Sequence, residues 1–186
     1  MNTNPRSVRF GLARPHPTQS IAMMPDGTEF VSGGWDGALH RYALEYPFDP
    51  PTTIRHAIPT EHASFSPTGK RLAVIERPGT ALHILDGRTS AHLHTIDAWS
   101  APLSPRGCAF SQDGLLLATG MEDGVVAIHH HYDDPLRHER RPLDRVPMLA
   151  RDHAETPPRP QPISRTRVST HELAFSSDDV FFAGAF

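Results

Sequence analysis

Four segments of the chain align without gaps: Ile21-Ala22-Met23-Met24-Pro25-Asp26-Gly27, Ala63-Ser64-Phe65-Ser66-Pro67-Thr68-Gly69, Cys108-Ala109-Phe110-Ser111-Gln112-Asp113-Gly114 and Leu173-Ala174-Phe175-Ser176-Ser177-Asp178-Asp179. Each runs apolar, small, large apolar and then into a turn, and self-similarity at this period marks a repeat architecture. The turn has a mechanism. Pro25 and Pro67 pre-set φ for an early turn position, Asp or Thr bonds back to the local backbone, and glycine then takes positive φ at little cost. A strand follows each turn, at Glu29 to Ser32, Arg71 to Ile75 and Leu115 to Thr119, and then a second glycine turn at Gly37, Gly79 and Gly124. Gly27 to Gly37, Gly69 to Gly79 and Gly114 to Gly124 are each ten residues apart. A spacing shared three times requires two successive hairpins built from strands of equal length.

Third strands are expected at Ala38 to Tyr42, Ala81 to Leu85 and Val125 to His129, and outer fourth strands at Thr52 to His56 and Ala91 to Ile96. Leu115-Leu116-Leu117-Ala118 and Val125-Val126-Ala127-Ile128 are continuously apolar, so both faces of those strands lose water on folding. A lone sheet cannot provide that cover. Four-stranded blades stacked side by side can, leaving outer strands such as Ala91-His92-Leu93-His94-Thr95-Ile96 free to alternate.

These residues resemble the WD40 repeats, whose blades read apolar-Ala-Phe-Ser-Pro-Asp-Gly, then a strand ending in Ser-Gly, then Asp-Gly. Residues 20 to 42 and 107 to 128 are the most similar, and the resemblance covers roughly 7 to 132 and 168 to 186. It implies an all-β fold: a partial WD40-type β-propeller of about three and a half four-stranded antiparallel blades. Asp36 and Asp123 match the family's structural aspartate in the second turn. The repeats are degenerate. The Trp-Asp dipeptide expected after the third strand is Tyr42-Ala43 in blade 1 and His129-His130 in blade 3, and glycine-histidine is absent. Blade 2 has Pro78 where the turn aspartate belongs, so the resemblance implies that its hydrogen-bonded tetrad is lost there and that blade 2 is the least rigid.

The period breaks once. Gly27 to Gly69 is 42 residues and Gly69 to Gly114 is 45, but Gly114 to Asp179 is 65. The extra residues lie within Asp133 to Arg167, a stretch with seven prolines, eight arginines and six acids. That composition buries too little apolar surface to offset the entropy of ordering, so a disordered Pro/Arg-rich insertion is expected. Three parts follow: 1–132 with an N-terminal strand and blades 1 to 3, the insertion at 133–167, and a fourth blade opening at 168–186. The outer strand of blade 3 falls within the insertion, with Ile163 to Val168 as the expected segment. Ser7 to Leu12 reads as the extra outer strand with which family chains begin. The chain reaches Phe186 inside a strand, which reads as a truncated product, a fragment of a longer propeller, or an arc that pairs with another chain through its open blade face.

Composition narrows the function. A formal charge of −3 supplies no positive field to draw nucleic acid or an anionic membrane, so neither partner is expected. Cys108 is the single cysteine, which leaves no internal disulfide and fits a reducing compartment, cytoplasm or nucleus. No apolar run reaches the roughly 18 residues of a membrane span. No Gly-x-Ser-x-Gly elbow, phosphate-binding glycine loop or His-Glu-x-x-His is present. The expectation is a non-enzyme without cofactor.

The resemblance implies partner proteins or peptides on the face formed by the loops leading into strand one and those joining strands two and three. Those loops carry Arg14, His16, Trp35, Arg77, Trp99, Arg106, Met121 and Glu122. Exposed tryptophan and arginine are enriched at binding hot spots, although Trp35 and Trp99 can equally pack against neighbouring blades. The alternatives are a propeller enzyme or metal protein using His129 and His131, which share a strand face, and a fragment with no independent activity. His92 and His94 also share a face, and His171 precedes Glu172, but nothing supplies a nucleophile. The stretch Pro157-Pro158-Arg159-Pro160 offers a second surface, as an extended peptide ligand.

Overall fold

Paired glycine turns organise the chain into stacked antiparallel hairpins, as seen in a computed structural model describing residues 17–46, 49–55, 58–79, 81–96, 104–122, 125–130, 144–147, 172–175 and 182–185. Gly27, Gly37, Gly69, Gly79 and Gly114 all take φ between 68° and 90°. Blade 1 is β1 (Thr18–Met23), β2 (Glu29–Gly34), β3 (Ala38–Ala43) and β4 (Thr52–Arg55). Blade 2 is β5 (Thr60–Phe65), β6 (Arg71–Glu76), β7 (Leu82–Asp86) and β8 (His92–Ile96). Blade 3 is β9 (Pro105–Phe110), β10 (Leu116–Met121), β11 (Val125–His130) and β12 (Asp144–Pro147). A hairpin of β13 (Glu172–Phe175) and β14 (Phe182–Ala185) follows. Each four-stranded sheet runs in chain order and every pair is antiparallel. No helix occurs among the described residues, so none there is long and apolar enough to cross a membrane.

The first strands β1, β5, β9 and β13 pack in succession, so blades stack through their inner strands. The core therefore lies between blades. Ala22, Met24, Val31 and Leu39 of blade 1 close on Phe65, Leu72, Val74 and Leu85 of blade 2. The alternate residues of blade 2, Ala73, Ile75, Leu82 and Ile84, close on Cys108, Phe110 and Leu117 of blade 3. Ala118, Val126 and Ile128 then meet Leu173 and Phe175. Residues of both parities are buried along β6 and β7, and this two-sided cover explains the unbroken apolar runs. Each fully buried aliphatic side chain contributes about 1.5–3 kcal/mol.

Several expectations need adjustment. Leu115 is 68% exposed, because it belongs to the turn and not to the covered strand. The strand that completes blade 3 is Asp144–Pro147, whose residues pair with β11 from Val125↔Pro147 to Ile128↔Asp144. Ile163 to Val168 and Ser7 to Leu12 lie outside the described residues, as do His171 and Pro157 to Pro160.

The outward face of β1 differs from its copies. Ile21 is 64% and Met23 53% exposed, whereas Ala63 and Cys108, and Phe65 and Phe110, at the same repeat positions, are buried against the preceding blade.

Candidate protein-binding face

In each blade the pairing of the first strand with the second shifts register at one residue. The shifts fall between Thr18 and Ser20, between Thr60 and His62, and between Pro105 and Gly107. The residues at the shifts are Gln19, Glu61 and Arg106, each eight residues before its turn glycine. A bulge leaves one residue out of the ladder and re-aims its side chain. Eight residues after the same glycines stand Trp35, Arg77 and Glu122, in or beside the second turn. The two sets meet because the backbone ties them together: Arg77 N–H donates to the Pro59 carbonyl at 2.6 Å and Glu122 N–H to the Ser104 carbonyl at 3.0 Å.

One row results, running across three blades. The Arg77 guanidinium lies over the Trp35 ring, 4.3 Å from its centroid. Arg77 Nη1 then bonds Glu61 Oε2 at 3.0 Å. The second Glu61 oxygen faces Arg106 Nη1 at 3.5 Å, and Arg106 Nη2 reaches Glu122 Oε1 at 3.3 Å. Glu61 is the buried centre of the row, its side chain only 8% exposed, while Arg77 and Glu122 remain open to solvent. Trp35, 49% exposed, stacks on an arginine of the next blade and still offers a ring face. Surface ion pairs alone contribute about 0–1 kcal/mol each, so the row orders the side chains more than it holds the fold.

The structure places Trp35, Arg77, Arg106 and Glu122 in this one row. Met121 is not part of the surface: at 1% exposure it packs inside blade 3. Arg14, His16, Trp99, Asp123 and Gly124 lie outside the described residues. Glu61 is the residue that reading by motif misses. Its signal is positional, since it occupies the repeat position of Arg106 and Gln19.

The opposite end of the blades carries turn chemistry. The Thr28 hydroxyl, donating to Asp26 at 2.7 Å, holds that carboxyl below its usual range, and the Ser111 hydroxyl does the same for Asp113. Asp86 is lowered by the backbone N–H and then the hydroxyl of Thr89. At the end that carries the row, in the second turn of blade 1, Asp36 accepts from Ala38 N–H at 3.2 Å and meets His40 Nε2 at 2.8 Å.

The alternative metal or enzyme reading turns on His129 and His131. His129 is buried and bonds Thr119 Oγ1 through Nε2 at 2.9 Å, and His131 lies outside the described residues. Among the described residues no group of three or more His, Cys, Asp or Glu surrounds a common point.

The family model described as WD domain, G-beta repeat, matches residues 83–130, from β7 through β11. A comparison with curated proteins finds no match. Among solved structures, "Crystal structure of RRP9 WD40 repeats" is similar at a TM-score of 0.57 and 18% identity, over 69% of this chain and 38% of that one. "Structure of U3-55K" is similar at 0.58 and 18% identity, over 69% and 39%. The chain therefore spans less than two-fifths of the length of either structure. A WD40 repeat matched at residues 83–130 and a fold similar to WD40-repeat structures across its blades thus support the resemblance read from the turns: the blades are of the WD40 type, with degenerate repeats.

Proposed function

We propose that this chain is a non-enzymatic scaffold that holds a protein or peptide partner on the face built by Trp35, Arg77, Glu61, Arg106 and Glu122. The observation that carries the reading is the row itself. One buried carboxylate fixes two arginines, and the arginines and tryptophan keep an accessible side, which is the composition of a binding hot spot. A reducing compartment, cytoplasm or nucleus, fits the single unbridged cysteine.

The experiment is quantitative affinity capture with three forms of the chain: wild type, Trp35→Ala/Arg77→Ala, and Leu115→Ser at the opposite end. Proteins held by the wild type and by Leu115→Ser are expected to be lost from the double variant. Capture indifferent to the double variant would refute the assignment of this face.

Ile21 and Met23 support a second part of the same proposal. Their equivalents in blades 2 and 3 are covered by the preceding blade, so β1 presents a face shaped for another blade, from the rest of a longer propeller or from a second chain. Size-exclusion chromatography with light scattering tests it. Concentration-dependent association that Ile21→Ser/Met23→Ser abolishes is expected, and a discrete, cooperatively melting monomer contradicts it.

A further inference from the structure

Blades 1 and 2 share a row of polar side chains across their outer strands. In blade 1, Asp36 Oδ2 meets His40 Nε2 at 2.8 Å, and His40 Nδ1 meets Thr53 Oγ1 at 3.0 Å. In blade 2, where Pro78 displaces the aspartate, Glu76 Oε2 lies 3.5 Å from His83 Nε2, and His83 Nδ1 lies 3.0 Å from Thr95 Oγ1. His40 and Thr53 are direct cross-strand partners, and so are His83 and Thr95.

Blade 2 adds a second imidazole. Three residues before Thr95 stands His92, where blade 1 has Pro50 three residues before Thr53. The β7–β8 register shifts between Ile84 and Leu85, whose partners are His94 and His92, so Leu93 drops out of the ladder. His92 Nε2 thereby comes within 3.4 Å of His83 Nδ1 and 3.0 Å of Thr95 Oγ1, with the two rings edge to face.

Two imidazole nitrogens on a tetrahedral zinc ion, each bonded at about 2.0–2.1 Å, stand about 3.3–3.4 Å apart. The His83 to His92 separation matches that value. Glu76 lies 3.5 Å from the other nitrogen of His83, on the side where metal-bound histidines have their outer carboxylate, while Nδ1 faces His92 and Thr95. His83 is buried and His92 exposed, so an ion between them sits at the solvent edge of the blade with water in its remaining positions.

We propose that His83 Nδ1 and His92 Nε2 form a two-imidazole site for a zinc-class divalent ion, with Thr95 hydrogen-bonding the ion's water and Glu76 orienting His83. Imidazole suits zinc, copper and nickel in preference to magnesium or calcium, so the site selects borderline transition metals. With two protein ligands, the ion exchanges and acts as a clip of β8 onto β7.

The test is calorimetric titration of the chelator-washed full chain with zinc chloride, with melting followed in parallel. One equivalent of zinc is expected to bind the wild type and raise its Tm. His92→Ala, an exposed position that leaves the His83–Thr95 pair intact, is expected to lose both effects. Glu76→Gln is expected to weaken binding about tenfold or more. His131→Ala, in the separate histidine run, is expected to bind as the wild type does. Zinc binding by His92→Ala at wild-type affinity, absence of binding by the wild type, or loss confined to His131→Ala would each overturn the proposal.

Discussion

The hydroxyl of Ser20 accepts a hydrogen bond from the backbone N–H of Ala63 at 2.9 Å, across the seam between blades 1 and 2. His62, the same repeat position one blade on, presents Nδ1 to the backbone N–H of Cys108 at 3.4 Å. The donors are equivalent as well, each six residues before its turn glycine. Each of these two seams thus has one such side-chain acceptor, and the third copy of that acceptor position is Gly107, which has no side chain to offer.

Ser20→Ala isolates the value of that latch. The Ala63 N–H stays buried and loses its partner, which costs about 1–3 kcal/mol. Urea unfolding is expected to show a lower midpoint with an unchanged slope. An unchanged midpoint would mean that water replaces the hydroxyl.

The turn glycines separate backbone strain from crowding. At Gly27, φ is +71° and an added Cβ meets nothing within 4 Å, so Gly27→Ala pays only the left-handed conformation, about 1–2 kcal/mol. At Gly69, φ is +68° and a Cβ runs into Met24 Sδ. Gly69→Ala is expected to lower the melting temperature further than Gly27→Ala, and Gly27→Asn less than either, because asparagine tolerates this region. Equal losses at Gly27 and Gly69 would remove the crowding component.

Inner strands were legible in the sequence because three forces coincide there: turn glycines at fixed spacing, β-branched or aliphatic runs, and burial on both faces. Leu72 to Ile75 and Leu82 to Leu85 satisfy all three. The outer strand of blade 3 satisfies none. Asp144-Arg145-Val146-Pro147 is held by ladder hydrogen bonds to β11, which any sequence except interior proline can make, and it sits amid the most polar stretch of the chain. The site was half legible for a similar reason. Trp35 and Arg106 stand out by residue type, but Glu61 matters through the bulge that turns it between two arginines, and a bulge leaves no mark in composition. Met121 misled because its place beside a turn does not reveal that its side chain points inward.

Arg41 is a second tie across the first seam. Its Nη1 donates to Glu29 at 2.6 Å, and Nη2 donates to the Gly87 carbonyl at 2.7 Å and to Ser90 Oγ at 2.9 Å, so β3 is fastened to the β7–β8 turn. Arg41→Ala is expected to cost about 1.5–3 kcal/mol, the worth of hydrogen bonds to a charged group. Arg41→Lys is expected to recover only part of it, because a single ammonium cannot span acceptors that the planar guanidinium reaches together. Full recovery by lysine would show that charge, not the fork, fastens the turn.

Cys108 gives the alkaline limb of stability a defined origin. Burial in the seam between blades 2 and 3 pushes its thiol up to about 12, from an ordinary value of 9.0. Between those values the folded chain keeps a proton that the unfolded chain releases. Its contribution is therefore complete below pH 9.0 and is lost as pH rises toward 12, at up to about 1.4 kcal/mol per pH unit. Two measurements follow. Iodoacetamide at pH 8 is expected to spare Cys108 in the native chain and to label it in urea, since the thiolate is the nucleophile. Urea midpoints compared at pH 8 and pH 10.5 are expected to fall further for the wild type than for Cys108→Ala, which has no proton to lose. Equal falls in the two proteins would assign the alkaline loss to other groups, and rapid native labelling would mean that the seam opens.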